Sequence, residues 1–142
     1  MTVYFDTSAI VKLVMIEEGS DRADALWDAS DLLVTSRLSY AEARAALAAA
    51  RRSGRLTRKG MEDARSALDG RFEELDQAEV TPDLVRSAGD LAEEHGLRGY
   101  DAIHLASALS LEAPELTLVT WDHDLAIAGE RVGLGLAGIG HD

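Results

Sequence analysis

The chain has 142 residues, of which 46% are hydrophobic and 28% charged, and it carries a net charge of −12. A chain of this length buries enough surface to fold without disulfides or a structural metal, and the absence of cysteine excludes disulfides, thiolate zinc sites and cysteine nucleophiles. No stretch approaches the roughly 18 apolar residues that a membrane span needs, and the N-terminus lacks a basic leader, so we expect a cytoplasmic protein of one domain, residues 1–142, without membrane association.

The predicted elements alternate between β-strands and α-helices. The first strand covers residues 3–5 and precedes a helix at 9–15, for which Thr7 and Ser8 are candidate caps. Next come a helix capped by Ser20, a strand at 32–35, and two helices, one at 37–52 and one from Thr57 to about 72. A weak strand at 78–80 precedes a helix that begins at 81–83 and ends at 95–96. The last elements are a buried helix at 100–111, a strand at 116–120, a short helix, and a strand at 133–137. This order predicts a three-layer α/β fold with a central, mainly parallel sheet flanked by helices.

The helices at 37–52 and 57–72 are expected to form a protruding helical hairpin, and this hairpin is basic. Residues 37–65 contain eight basic and three acidic residues, a net charge of +5, so the rest of the chain carries −17. Nucleic-acid binding depends on Lys and Arg contacts to phosphates, so the overall charge argues against a non-specific binder while this segment offers a local binding surface. A solvated helical face explains the same charges without a ligand, and both interpretations stay open.

Four acidic side chains follow or begin elements that are predicted to be buried. Asp6 comes directly after the first strand and Asp122 soon after the strand at 116–120; in open α/β sheets, ligands bind beyond the carboxyl ends of the strands. Asp101 begins the most apolar helix, and Glu42 lies in the first turns of the Ala-rich helix. The four acids are therefore candidates to converge at one end of the sheet. Helix capping for each Asp and simple solvation for Glu42 are the alternative explanations.

A cluster of carboxylates is unfavourable unless a cation binds it. Two carboxylates about 5 Å apart repel by roughly 3 kcal/mol at an effective dielectric constant of about 20. An all-oxygen site suits Mg²⁺ or Mn²⁺, and phosphodiester hydrolysis is the chemistry that uses such a site. We therefore predict a Mg²⁺ or Mn²⁺ site formed by Asp6, Glu42, Asp101 and Asp122.

Four segments of the chain carry a resemblance to a known family. They read YFDTSAIVKL, SYAEARAAL, GYDAIHLASAL and LVTWDHDLA, in that order. Together they resemble the PIN-domain nucleases, and among these the VapC-type toxins of prokaryotic toxin–antitoxin pairs. By this resemblance Thr7 or Ser8 orients a metal-bound water, Asp124 matches an additional acid of some members, and Trp121 departs from the small or polar residues that are more usual there. The resemblance implies that the catalytic, metal-binding acids are Asp6, Glu42, Asp101 and Asp122.

The resemblance also implies an activity and partners. It implies a Mg²⁺- or Mn²⁺-dependent endoribonuclease that hydrolyses RNA with a metal-activated water, usually as a homodimer, and that a cognate VapB-like antitoxin inhibits. Similar hairpins flank the active-site groove, so the candidate RNA-binding residues are Arg37, Arg44, Arg51, Arg52 and Arg55. The alternatives are an inactive PIN scaffold that binds RNA or protein, and a DNA or structure-specific nuclease of the same fold.

Other classes of enzyme fit the sequence less well. An aspartyl-phosphate phosphatase needs a second Asp two residues after the first, where this chain has Ser8, and the phosphate-binding motif of NTPases is absent. His104 follows Asp101 by three residues and lies on the same helix face; we expect a packed, hydrogen-bonded histidine there rather than a base. The remaining histidines, without metal-ligand spacing, are His95, His123 and His141.

Overall fold

The computed structural model describes residues 1–139, which contain five strands and seven helices. The strands are β1 (Thr2–Phe5), β2 (Leu32–Ser36), β3 (Asp76–Ala78), β4 (Leu116–Thr120) and β5 (Gly135–Gly138). The helices are α1 (Thr7–Val14), α2 (Ser20–Asp28), α3 (Ser39–Arg52), α4 (Arg58–Glu74), α5 (Pro82–His95), α6 (Gly99–Ser110) and α7 (His123–Arg131). His141 lies outside the described residues.

The five strands form one parallel sheet in the order β3-β2-β1-β4-β5. From β1 in the centre, the chain adds β2 and β3 on one side and later β4 and β5 on the other. The strand order therefore reverses between β1 and β4, which is where open α/β sheets bind their ligands. The predicted three-layer α/β fold is confirmed, and every strand pair described is parallel.

Helices cover both faces of the sheet, and β1 contributes to both cores. Val3 and Phe5 pack in the core formed with α1 to α4, whereas Tyr4 packs in the core formed with α5 to α7. All three side chains are fully buried. Because both faces of the sheet are covered by helices, its strands have continuous apolar sequences, as is usual for a parallel sheet. Within residues 1–139, no helix has the length and hydrophobicity needed to cross a membrane.

The predicted hairpin is formed by α3 and α4, which pack against α1 as well as each other. Leu47 of α3 and Leu68 of α4 are buried in the core beneath them. The connecting end, at 51–55 and 57–59, is exposed, and so is the outer face of α4. The hairpin is therefore a packed part of the fold whose basic end faces solvent.

Two of the predicted helix caps are wrong. Asp6, and not Thr7 or Ser8, caps α1 by accepting a hydrogen bond from the backbone N–H three residues further on. Gly19, with a left-handed φ of 93°, precedes α2, and Ser20 is the first residue of that helix. In both cases an adjacent residue takes the capping position, and the predicted cap hydroxyl bonds elsewhere.

The remaining boundaries differ from the predictions by only a few residues. Thr57 and Thr81 cap α4 and α5 as predicted. The helix predicted from residue 37 begins at Ser39, and the weak strand predicted at 78–80 is β3 at Asp76–Ala78. The strand at 116–120 is confirmed with both of its ends.

We expect Gly138 of β5 to be much less tolerant of a side chain than Gly133. Both have a positive φ, of 111° and 87° respectively. A Cβ on Gly138 would lie 2.1 Å from the carbonyl oxygen of Thr120, whereas a Cβ on Gly133 would meet no atom within 4 Å. Gly133→Ala should therefore lower the free energy of unfolding by about 1–2 kcal/mol through backbone strain alone. Gly138→Ala should lower it by more, because β5 must also move away from β4.

Urea denaturation followed by circular dichroism measures both variants. Equal losses of stability would contradict the close approach of β5 to β4.

Candidate active site

The four predicted acids come from four different elements around the reversal point of the sheet. Asp6 directly follows β1, and Asp122 lies two residues after the end of β4, the strand that pairs with β1. Glu42 lies in the first turn of α3, and Asp101 lies in the first turn of α6. Because β1 and β4 are parallel neighbours, their carboxyl ends deliver Asp6 and Asp122 to the same edge.

Asp6 is the most buried of the four, with 3% of its surface exposed. Its Oδ1 accepts hydrogen bonds from Ser8 Oγ at 2.7 Å and from the backbone N of Ala9 at 2.9 Å, and its Oδ2 accepts one from Thr120 Oγ1 at 2.6 Å. Burial raises the pKa of Asp6, while the charge of His104 and the three hydrogen bonds act in the opposite direction. A carboxylate buried in this way gains from a nearby cation.

Glu42 is held on one of its two oxygens. Its Oε1 accepts hydrogen bonds from Thr7 Oγ1 and from His104 Nε2, both at 2.7 Å. On the other side of the imidazole, His104 Nδ1 lies 2.8 Å from the hydroxyl of Tyr4. Burial alone would raise the pKa of Glu42, but the hydrogen bond and charge of His104 and the hydrogen bond from Thr7 outweigh it, so the pKa is lowered. This carboxylate is therefore ionised and fixed in place.

Asp101 and Asp122 share the guanidinium of Arg98. Arg98 Nε donates to Asp101 Oδ2 at 3.0 Å, and its Nη2 donates to Asp122 Oδ2 at 3.1 Å. Asp122 Oδ1 also caps α7 by accepting from the backbone N of Leu125 at 2.9 Å. Burial raises the pKa of Asp101; the hydrogen bond from Arg98 opposes this and the negative charge of Asp122 adds to it. The two acids are thus close enough to influence each other.

The donor set fits a hard divalent cation in its chemistry. Carboxylate oxygens are the ligands that Mg²⁺ and Mn²⁺ prefer, and within residues 1–139 Glu42 Oε2 and Asp101 Oδ1 accept no hydrogen bond. Both oxygens of Asp122 are used, by the α7 cap and by Arg98. In this described part, no three acidic or histidine side chains are arranged as a ready-made metal site. A cation that binds Asp101 and Asp122 would have to compete with Arg98.

From the resemblance, Thr7 or Ser8 was expected to orient a metal-bound water. In the structure, the hydroxyls of both residues form hydrogen bonds with the acids themselves. Thr7 donates to Glu42, and Ser8 donates to Asp6. Ser8 Oγ also accepts from the backbone N of Trp121 at 2.9 Å. Both hydroxyls thus hold carboxylates in position.

The five candidate arginines are in different environments. Arg37 forms an ion pair with Glu79, and Arg44 packs over the ring of Tyr40. The other three are exposed, at the end of the hairpin, and form no ion pair with residues 1–139. These are Arg51, Arg52 and Arg55.

Helix geometry separates two of those exposed arginines. At about 3.6 residues per turn, Arg51, nine residues after Glu42, lies on the opposite side of α3 from Glu42. Arg52, ten residues after Glu42, lies within about 80° of the Glu42 side. Arg52 is therefore better placed than Arg51 to contact a strand bound at the acids.

Three residues that hold the acids, directly or through His104, were not predicted from the sequence. Thr120 bonds to Asp6, Arg98 to Asp101 and Asp122, and Tyr4 to His104. The sequence contains a feature that could have indicated two of them: Thr120 ends a predicted strand two residues before Asp122, and Arg98 precedes Asp101 by three residues. It contains no such feature for Tyr4, because an aromatic residue within a buried strand is ordinary.

The structure also gives the surroundings of three other residues named in the sequence analysis, which are His104, Trp121 and Asp124. His104 is buried and hydrogen-bonded, as expected of a packed histidine. Lys12 lies over the ring of Trp121, 5.2 Å from its centroid. Asp124 is exposed in the first turn of α7.

The comparisons with known proteins agree with this fold. A family model described as "PIN domain" matches residues 3–130. Ribonuclease VapC49 of Mycobacterium tuberculosis is 44% identical over 135 residues, which are 95% of this chain and 94% of that protein. The chain therefore belongs to the PIN-domain family, and within it to the VapC-type proteins.

Two solved structures share the fold at lower identity. The sarcin-ricin loop cleaving toxin VapC20 of Mycobacterium tuberculosis matches with a TM-score of 0.69 and 21% identity, over 90% of this chain and 95% of the other. A toxin–antitoxin complex from Klebsiella pneumoniae matches with a TM-score of 0.67 and 18% identity, over 99% of this chain and 100% of the other. At these identities the likeness concerns the fold.

We expect Thr120→Val to destabilise the protein by about 1–3 kcal/mol, because it leaves buried hydrogen-bonding partners unpaired. Thr120 Oγ1 donates to Asp6 and accepts from the backbone N of Asp122 at 3.0 Å. Thr117→Val is a matched control in the same strand, since the Thr117 hydroxyl makes no hydrogen bond with residues 1–139. Its effect should stay within about 0.5 kcal/mol. Urea denaturation measures both; similar values would mean that the Thr120 hydroxyl does not hold the acid.

Proposed function

We propose that this protein is a divalent-metal-dependent endoribonuclease of the VapC type, which hydrolyses phosphodiester bonds of RNA. The observation that carries the proposal is the group of Asp6, Glu42 and Asp101 at the reversal point of the sheet. Asp6 directly follows β1, and His104, one turn after Asp101 on α6, bonds to Tyr4 of β1 and to Glu42, so the three acids lie around one histidine. The names of the relatives, which include ribonucleases, support the same activity.

Asp6, Glu42 and Asp101 are the residues that would hold the cation. When bound, Mg²⁺ or Mn²⁺ supplies Lewis-acid polarisation of the phosphate and promotes ionisation of an attacking water. The protein keeps these carboxylates in fixed positions: Thr120 and Ser8 hold Asp6, and His104 and Thr7 hold Glu42. Asp122 has a supporting role, because the cation Arg98 already bonds to it, whereas the donors to Asp6 are uncharged.

The proposal also includes the partners of the protein. An antitoxin is the proposed inhibitor, because a solved complex of the same fold contains one. A homodimer is the proposed assembly, on the basis of the family. Since the proposed substrate is cellular RNA, we place the activity in the cytoplasm.

A PIN scaffold without activity is the second candidate. The presence of all four acids favours the enzyme, because loss of one of them would be the mark of an inactive scaffold. A DNA or structure-specific nuclease would use the same acids. Only the substrate that is cleaved distinguishes such a nuclease from a ribonuclease.

The activity is tested by incubating total cellular RNA, and separately DNA, with the purified protein in Mg²⁺, Mn²⁺ or EDTA. We expect discrete RNA fragments that require the metal and no cleavage of DNA. Asp6→Asn and Asp101→Asn should each lower the rate by more than about 100-fold, because even the outer partners of metal ligands typically contribute about 10- to 100-fold. The control is Asp28→Asn, which removes an exposed acid at the end of α2.

Three results would contradict the proposal in different ways. Cleavage by Asp6→Asn at the wild-type rate would mean that the acids are wrongly assigned. Cleavage of DNA and not RNA would make the protein a DNA nuclease. A protein that neither cleaves nor binds Mn²⁺ in calorimetry would be a scaffold.

We expect Arg52 to contribute more to RNA binding than Arg51. In an Asp6→Asn background, which prevents cleavage, Arg52→Gln should weaken binding to a single-stranded 20-mer and lower the salt slope by about 0.7, the value for one lost phosphate contact. Arg51→Gln is the matched control, one residue away on the other side of α3, and should change the slope less. Fluorescence anisotropy at several salt concentrations measures both. Unchanged slopes in both variants would exclude Arg51 and Arg52 as RNA contacts.

A further inference from the structure

His104 has a position that its packing alone does not explain. It is 3% exposed and lies on α6, one turn after Asp101. Its imidazole bonds to three side chains from other elements: Tyr4 of β1, Glu42 of α3 and, at 3.2 Å, Thr7 of α1. Asp6 follows the same β1 strand by one residue. The imidazole therefore joins the three elements that carry the three central acids.

The partners of the imidazole fix which nitrogen donates. An ionised carboxylate only accepts hydrogen bonds, so His104 Nε2 carries the proton that is shared with Glu42 Oε1. Nδ1, the other ring nitrogen, lies 2.8 Å from the hydroxyl of Tyr4, which is fully buried. Tyr4 thus sets the orientation of the ring, and the ring sets the position of the carboxylate.

The two donors to Glu42 both bind the same oxygen. Thr7 Oγ1 and His104 Nε2 each lie 2.7 Å from Oε1. Within residues 1–139, Oε2 accepts no hydrogen bond. Hydrogen bonds to one oxygen of a carboxylate orient it and leave the other oxygen to a metal, as outer partners of metal ligands commonly do.

We propose that His104, held by Tyr4, is a positioning residue that fixes Glu42 with Oε2 left for the cation. The proposal deepens the function proposed above and rests on Glu42 being a metal ligand. In this role His104 contacts neither the RNA nor the metal; it acts only through Glu42. A histidine that merely filled space would be replaceable by any side chain of similar size, and this difference is open to experiment.

The test compares His104→Gln with His104→Asn. Both replace the ring by an amide, but the Gln amide reaches the position of Nε2 and keeps a donor for Glu42, whereas the Asn amide reaches only that of Nδ1. The measurement is the Kd for Mn²⁺ by isothermal titration calorimetry, together with the rise in Tm that Mn²⁺ produces. We expect His104→Asn to bind Mn²⁺ about 10- to 100-fold more weakly than wild type, and His104→Gln to stay within a few-fold of it.

Tyr4→Phe tests the other side of the ring. It removes only the hydroxyl that orients the imidazole, so we expect a smaller loss of Mn²⁺ affinity than in His104→Asn. Circular dichroism without metal establishes that each variant is folded. If His104→Asn does not fold, Tyr4→Phe carries the test, and an unchanged Kd in that variant would overturn the proposal.

The outcomes separate this proposal from the proposed function. Wild-type protein that does not bind Mn²⁺, or an Asp6→Asn variant that binds it normally, would overturn the proposed function and this inference with it. If wild type binds and Asp6→Asn does not, the proposed function stands, and equal affinities in His104→Asn, His104→Gln and wild type would overturn the role of His104 alone. Equal losses in His104→Gln and His104→Asn would also overturn it, because the amide donor would then make no difference.

Discussion

The burial of one carboxylate, Asp6, is the constraint on which this end of the molecule depends. Its position after the central strand leaves it 3% exposed, so its charge must be compensated from within the protein. The donors come from the start of α1 and from Thr120 at the end of β4. Since Asp6 also caps α1, where a negative charge is favourable, a single side chain sets the start of a helix, the alignment of β1 with β4 and the charge of the site.

Much of this arrangement was predictable because it follows from local patterns. The strands are apolar runs, the capping residues Thr57 and Thr81 precede their helices, and parallel strands place Asp6 and Asp122 at one edge. The errors at α1 and α2 have a common cause: several adjacent residues are able to cap, and tertiary partners decide which one does. Thr7 forms a hydrogen bond with Glu42, 35 residues away in the chain. A local sequence pattern cannot predict a contact between residues so far apart.

The capping and metal-site interpretations of an acid are not exclusive. Asp122 caps α7 and also faces Arg98, so it fits the simpler explanation and still lies in the site. Asp101 does not cap α6 with its side chain, and one of its oxygens has no hydrogen bond in the part of the chain described. The acids therefore differ in how many oxygens remain for a cation. Glu42 and Asp101, each with one oxygen that accepts no hydrogen bond, therefore rank above Asp122 as ligands. The sequence alone does not give this ranking, because it does not show which carboxylate oxygens are hydrogen-bonded.

The charge of the whole chain, −12, opposes binding of RNA, but charges act over short distances in solution. At physiological ionic strength, exposed charges are largely screened beyond about 8 Å, so only those near the strand matter. Arg37 is neutralised by Glu79, while Arg52 lies about 15 Å along α3 from Glu42, at about 1.5 Å per residue. A phosphate at the acids would therefore meet carboxylates and little compensating protein charge beyond Arg98. A divalent cation would remove that repulsion, so under the function proposed above the binding of metal and the binding of RNA favour each other, and the order in which they bind does not change the strength of that coupling.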